Sequence, residues 1–287
     1  MIKIESLSFS YPDGTWALQD INLEVQKGEF LALIGSSGCG KTTLLKHLIG
    51  LLKPSAGKLN LDGKEFRFYK TGEIFRQVGM VFQDPNDQLF AATVEQDVAF
   101  GAANLGLKPD EITSRIKQAL KMVDAVGLAG KAIHTLSYGQ KKRASIAGVL
   151  AMEPRLILLD EPTSGLDPRS VSAIMSLLRQ LNREKGITMI MATHDVELIP
   201  LFCDRVAIMK AGMLKAVGTP ENIFADVNLL RETDVMLPQI ARLFEILQKE
   251  DGVSLSEMPL TISDARIEIG KLLSVKKTKE QAGTAAL

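Results

Sequence analysis

The sequence predicts an α/β fold built around a mostly parallel β-sheet, and three observations carry that expectation. Short apolar runs recur at Glu29 to Ile34, Val78 to Phe82, Leu156 to Leu159, Ile187 to Ala192 and Arg205 to Met209. Helical patterns separate several of them, and strands buried on both faces and joined by helices make a parallel sheet. The first run stops at a glycine-rich segment, Gly35-Ser36-Ser37-Gly38-Cys39-Gly40-Lys41-Thr42, which opens a helical pattern over Lys41 to Leu51.

In chain order, Ile2 to Phe9 and Trp16 to Val25 read as two strands across the turn-forming Pro12-Asp13-Gly14. Between Asn86 and Glu153 the periodicity becomes helical, with Pro109 as a start and Pro154 as a stop, so a helical subdomain (86–153) is inserted into the sheet. After Gly218-Thr219-Pro220 the turn signals thin out, and Glu221 to Lys249 reads as helices. The expected divisions are a main domain over 1–225, a helical extension over 226–275 and a disordered polar tail over 276–287.

Composition narrows the functional classes. The 287 residues carry 34 Lys+Arg and 34 Asp+Glu, so the formal charge is zero and nucleic acid is not favoured as a partner. Hydrophobic residues at 46% and charged residues at 24% are those of an ordinary globular chain. Two cysteines, Cys39 and Cys203, make no disulfide framework or zinc cluster, which points to a reducing compartment. The opening MIKIESLSFSYPDG lacks the apolar core of a signal peptide, and there is no apolar run of the roughly 18 residues that a membrane span needs. A soluble, cytosolic chain is expected, with a membrane partner left open.

The glycine-rich segment matches G-x-x-x-x-G-K-[ST] between a strand and a helix, the setting in which that pattern binds phosphate. Glycines let the backbone wind closely around phosphates, while successive N–H groups and the helix N-terminus supply positive potential. Lys41 is expected to reach the β- and γ-phosphates of a bound nucleotide, and the Thr42 hydroxyl to ligate Mg²⁺. Cys39 reads as a small filler whose N–H serves the loop, with oxidation of its thiolate as the competing reading. Leu156 to Leu159 ends in Asp160-Glu161; in a phosphate-loop protein such an aspartate holds Mg²⁺ and the glutamate orients or activates the attacking water.

Gly35 to Thr42, Phe82-Gln83, Leu136-Ser137-Tyr138-Gly139-Gln140, Asp160-Glu161-Pro162-Thr163, Ser164-Gly165-Leu166-Asp167 and Thr193-His194-Asp195 follow the order of an ATP-binding cassette ATPase. The resemblance covers roughly residues 1–225. It implies a P-loop NTPase with a RecA-like core, an antiparallel β subdomain, a helical subdomain and, here, a short helical C-terminal extension. It implies that Tyr11 stacks on adenine, and that residues 35–42 with Thr43 hold the nucleotide. Gln83 then touches Mg²⁺ or the attacking water and links the site to a transport partner. Ser137, Gly139 and Gln140 belong to the signature loop, Asp167 is a contact across a dimer, and His194 is the switch histidine near the γ-phosphate. The chemistry agrees: an aromatic ring offers a stacking face to a base, and Ser137 is a good N-cap for a helix over Ser137 to Ala151. His47 and His134 match no motif. The signature departs from the family at Tyr138, where glycine is usual. A glycine-only backbone there predicts weakened γ-phosphate contact across the dimer; a side chain pointing away from the phosphate predicts that function survives.

One copy of each motif implies a second cassette subunit, identical or homologous, because the resemblance places the signature loop of one subunit over the ATP of another. Lys41, Glu161 and His194 favour an active hydrolase over a nucleotide sensor. The stretch from Val81 through Phe90 to Gly101 looks like the ATPases of energy-coupling factor transporters, which import vitamins or cobalt and nickel ions. Ala147 to Pro154 and Ala192 to Leu198 look closest to the cobalt/nickel branch. That resemblance implies a transmembrane coupling subunit and a substrate-binding membrane subunit, a peripheral position at the cytoplasmic face of the cell membrane, and a coupling role for Asn86 to Phe90. The competing reading there is that Leu89 and Phe90 merely pack the helical subdomain. A soluble cassette ATPase of DNA repair or translation is the rival class, but it usually carries a coiled-coil insert or two cassettes, and this sequence shows neither.

Overall fold

The structure is a computed structural model that describes residues 1–70, 72–255 and 257–284, with side chains through 273. β1 (Ile2–Ser10) and β2 (Trp16–Val25) pair as an antiparallel hairpin. β3 (Phe30–Ile34) leads into α1 (Lys41–Leu48), which stops short of the predicted Leu51 because Gly50 turns left-handed at φ +80°. β4 (Ala56–Leu61) and β5 (Lys64–Glu65) join the hairpin in an antiparallel sheet of order β2-β1-β4-β5.

β6 (Val78–Val81) precedes three helices, α2 (Val94–Asn104), α3 (Pro109–Met122) and α4 (Tyr138–Leu150). Thr93 opens α2 with a reciprocal cap to Gln96, and Pro109 fills the first position of α3, where its missing N–H costs nothing. β7 (Leu156–Asp160), α5 (Pro168–Lys185), β8 (Thr188–Ala192), α6 (Ile199–Phe202), β9 (Arg205–Lys210) and β10 (Met213–Gly218) complete a second sheet of order β10-β9-β3-β8-β7-β6. Only the β9–β10 pair in it is antiparallel.

Every residue of β3, β7 and β8 is buried, and the pleat divides them between two cores. Phe30, Ala32, Ile157, Leu159, Met189 and Met191 face the helices, while Leu31, Leu33, Leu156, Leu158 and Ile190 face α1 and the antiparallel sheet. The parallel register then aligns the strand ends: Leu33 pairs with Ala192, Ala192 with Asp160, and Leu159 with Val81. The loops after β3, β6, β7 and β8 therefore leave the sheet from one edge, where ligands bind in open α/β sheets.

The C-terminal segment is helical, in α7 (Pro220–Ala225), α8 (Val227–Thr233), α9 (Gln239–Glu250) and α10 (Ile262–Thr284). Phe224, Leu230, Ala241 and Leu260 join the core on the helical face of the sheet. α10 continues through 276–284, where the sequence predicts a disordered tail; the polar Lys, Glu and Gln there are good helix formers, as is Ala282. Residues 285–287 of that expected tail lie outside the described residues. Among the described residues no helix is long and apolar enough to cross a membrane.

Candidate active site

A cleft of about 600 Å³ opens where the four loops meet. Its floor is the phosphate loop between β3 and α1, shaped by glycines at Gly35 (φ +146°) and Gly40 (φ +106°). A Cβ on Gly35 would stand 2.1 Å from the Met209 carbonyl oxygen, and one on Gly40 would stand 2.6 Å from that of Ala17. The loop is thus pressed against β9 on one side and β2 on the other. α1 begins at Gly40 without a side-chain cap, which leaves its first N–H groups to serve an anion. Lys41 lies across the loop, donating from Nζ to the carbonyls of Gly35 (2.7 Å) and Ser36 (3.1 Å). Cys39 is buried beneath, which suits its reading as filler.

The wall opposite is the end of β7. Thr42 donates its hydroxyl to Asp160 Oδ1 at 3.2 Å. Asp160 is 5% exposed, and burial raises its pKa although the Thr42 hydrogen bond opposes that shift. A buried carboxylate beside a hydroxyl is a pair of hard oxygen donors that suits Mg²⁺. Among the described residues no group of three or more His, Cys, Asp or Glu could hold a metal by itself, so the remaining ligands of such an ion would be phosphate and water oxygens. Glu161 adopts φ +45°, a left-handed conformation that costs a non-glycine residue about 1 to 2 kcal/mol. Its N–H donates to Ala192 O at 2.9 Å, and its Oε2 stands 2.9 Å from His194 Nδ1. The turn therefore aims the carboxylate at the histidine leaving β8.

Tyr11 lines the same cleft, its hydroxyl 3.0 Å from Thr43 Oγ1 and its ring edge-on to Phe9. Behind them His47 bonds Thr43 O through Nδ1 at 2.8 Å, and burial pushes its pKa down. Trp16, the chain's one tryptophan, also lines the cleft at 57% exposure, and the sequence reading gave it no role. The Ser10–Trp16 pairing across the Pro12-Asp13-Gly14 turn is the signal that places it near Tyr11. With stacking worth about 1 to 3 kcal/mol per base, Trp16→Ala should weaken ATP binding roughly fivefold or more. Saturating ATP should change the parent chain's tryptophan emission; an unchanged spectrum would remove Trp16 from the adenine site.

Gln83 reaches this cleft too, but the signature residues do not. At the start of α4, Ser137, Gly139 and Gln140 border a separate depression that Ser170 of α5 also lines. Ser137 caps α4 and exchanges hydrogen bonds with Gln140, while Asp167 caps α5. The Ser170 hydroxyl and N–H hold the Asp167 carboxyl below its usual range. Tyr138 is the first residue of α4 and is not among the positive-φ residues, so no glycine-only backbone is required there. Its ring packs over Gly165 instead. Lys142, another residue that the sequence reading passed over, is wholly buried in α4 with its pKa pushed down to about 8, chiefly by burial.

A parallel sheet whose carboxyl edge joins a phosphate loop to a buried aspartate defines the class, a P-loop nucleotide hydrolase. The family model described as "ABC transporter" matches residues 18–164. The chain is 47% identical over 268 residues to the energy-coupling factor transporter ATP-binding protein EcfA2 of Clostridium perfringens (strain SM101 / Type A), covering 93% of this chain and 94% of that protein. A solved structure of CbiO1 from Clostridium perfringens, described as part of the ABC transporter complex cbiONQ, is 47% identical; it aligns with TM-score 0.74 over 85% of this chain and 98% of its own. The ATP-binding cassette MJ0796, solved as a post-hydrolysis dimer bound to ADP and Pi, is 30% identical with TM-score 0.70, over 77% and 99%. The chain belongs to the ABC transporter family of ATPases; it binds and hydrolyses ATP.

Proposed function

We propose that the chain is the ATP-hydrolysing subunit of an energy-coupling factor importer, working in a pair of cassettes at the cytoplasmic face of the membrane. The Glu161–His194 contact inside a phosphate-loop cleft carries the catalytic part of that reading. The likeness to EcfA2 over nearly the whole chain supports the transporter class, and the dimeric MJ0796 cassette supports the pairing. Cobalt or nickel is the proposed cargo, on the resemblance of Ala147 to Pro154 and Ala192 to Leu198 to that branch. Residues 1–225 form the cassette in this reading, and 226–275 are an appended extension.

Within the cleft, Tyr11 and Trp16 hold adenine, while the N–H groups of residues 35–43 cradle the phosphates and Lys41 turns from its loop carbonyls to the β- and γ-phosphates. Thr42, Asp160 and Gln83 would hold Mg²⁺, which when bound would supply charge neutralisation at the phosphates. Glu161 accepts the proton of the attacking water, while His194 Nδ1 steadies Glu161 Oε2 so that Oε1 faces the water. Ser137, Gly139, Gln140 and Asp167 face the nucleotide of the second cassette.

Two aromatic rings support the coupling role given to Asn86 to Phe90. Leu89 is buried in the helical core, but Phe90 is 65% exposed and stands edge-on to the exposed Phe100 at 4.6 Å. Asp97 fixes that corner by accepting from the N–H groups of Phe90 and Ala91. An apolar pair on a rigid support suits a helix of a membrane subunit. Co-expression with the transmembrane and substrate-binding subunits, followed by uptake into vesicles, tests the reading. ATP-dependent uptake of cobalt or nickel is expected; uptake of a vitamin alone reassigns the cargo, and recovery only with ribosomes or DNA overturns the transport role.

A further inference from the structure

Lys142 does not line the ATP cleft, yet it is the wholly buried cation of the signature helix. Lysine is almost never buried without a partner, and a methionine or leucine could fill the same volume of α4 without a charge to desolvate. None of the ion pairs among the described residues includes it. Its Nζ donates instead to two backbone carbonyls, Gln83 O at 2.7 Å and Phe82 O at 3.1 Å. The carboxylates of Asp84, Asp160 and Glu161 favour its charged form through space, against the larger effect of burial.

Further ties join the same helix to the same loop. Tyr138, one turn earlier on that face of α4, brings its hydroxyl to 3.4 Å from the Gln83 carbonyl oxygen. Gln88 accepts from Phe82 N–H and donates to Ser145 O, each at 3.1 Å. Lys141 donates to Asn86 Oδ1 at 2.7 Å. The first two turns of α4 and the segment Phe82 to Gln88 are therefore laced into one body. Of these ties, those of Lys142 and Tyr138 reach the Gln83 backbone itself, and the lysine's shorter, charged bond is the stronger of the two.

We propose that Lys142 is a positioning residue of the ATPase: it fixes the Gln83 backbone to the signature helix, so that any movement of α4 carries Gln83 with it. The inference rests on the roles given above to Gln83 and to the signature loop. Its consequence is a wire within one subunit between the two nucleotides of a pair. A signature loop seated on the partner's ATP holds Gln83 in its own cleft, whose lining it shares with Thr42 and Glu161.

The test compares Lys142→Met, which keeps length and removes the donors, with Lys142→Gln, which keeps a neutral N–H donor, and with Gln83→Ala. ATP binding is read from tryptophan emission, turnover from phosphate release and folding from thermal melts. Lys142→Met should bind ATP with KM within twofold of the parent and melt no earlier, yet lose about tenfold in kcat; Lys142→Gln should recover part of that loss. A kcat within twofold of the parent in Lys142→Met, beside a lowered kcat in Gln83→Ala, overturns the inference and leaves the Gln83 role standing. An unchanged kcat in Gln83→Ala removes the Gln83 role and the inference together. Early melting with loss of ATP binding in both lysine variants makes Lys142 a fold support and overturns the inference as well.

Discussion

Glu161→Gln should keep ATP bound and release phosphate at least about a hundredfold more slowly than the parent chain, since a positioned general base contributes about 10² to 10⁴ in rate. The substitution preserves shape. A glutamine fits the same φ +45° turn at similar cost, its N–H still donates to Ala192 O, and its side-chain oxygen still receives the His194 contact. What disappears is the capacity to take a proton from water. The groups that bind nucleotide are untouched: Lys41 and the loop glycines stand on the other side of the cleft, and the Thr42–Asp160 bond remains. Removing the neighbouring negative charge also relieves one cause of the raised Asp160 pKa, which favours the ionised form that holds a cation. Affinity should therefore hold or rise while chemistry stops, and the paired cassettes should accumulate with ATP as a stable dimer on size-exclusion chromatography. Unchanged phosphate release would remove Glu161 from the general-base role.

The parts of the fold and site written in contiguous residues were legible from sequence. Gly35 to Thr42 is a single local pattern, and Asp160-Glu161 and His194 each follow an apolar run whose strand character is plain. The parts that depend on pairing were not. Trp16 reaches the cleft through the register of β1 with β2, and Lys142 is buried because one face of α4 meets a loop 59 residues away. β4, β5 and β10 escaped notice because they are half-exposed or only two residues long, without an apolar run to announce them. Tyr138 posed a question that only backbone geometry answers. Tyr138 opens a helix at ordinary negative φ, so nothing in the backbone there requires glycine, and its ring covers Gly165.

Gly35→Ala should destabilise the chain by about 3 kcal/mol or more and abolish ATP binding, whereas Gly38→Ala should cost only about 1 to 2 kcal/mol. Both glycines have positive φ, +146° and +77°, so backbone strain alone does not separate them. Their surroundings do. A Cβ on Gly38 meets nothing within 4 Å, and the substitution carries only the cost of a left-handed alanine. A Cβ on Gly35 stands 2.1 Å from the Met209 carbonyl oxygen and 2.8 Å from Cys39 Sγ, and a backbone carbonyl in β9 has no rotamer by which to give way. The loop must then lift away from the sheet. Ile34 pairs with Ile208 in the β3–β9 ladder, so lifting residue 35 strains the last bond that anchors the strand end. It also draws the Gly35 carbonyl away from Lys41 and tilts the N-terminus of α1 off the position in which its N–H groups face phosphate. Loss of stability and loss of binding thus share one cause. Denaturant melts of the two variants, read beside ATP titration of tryptophan emission, decide it: equal melts for Gly35→Ala and Gly38→Ala would mean that contact with β9 does not hold the loop.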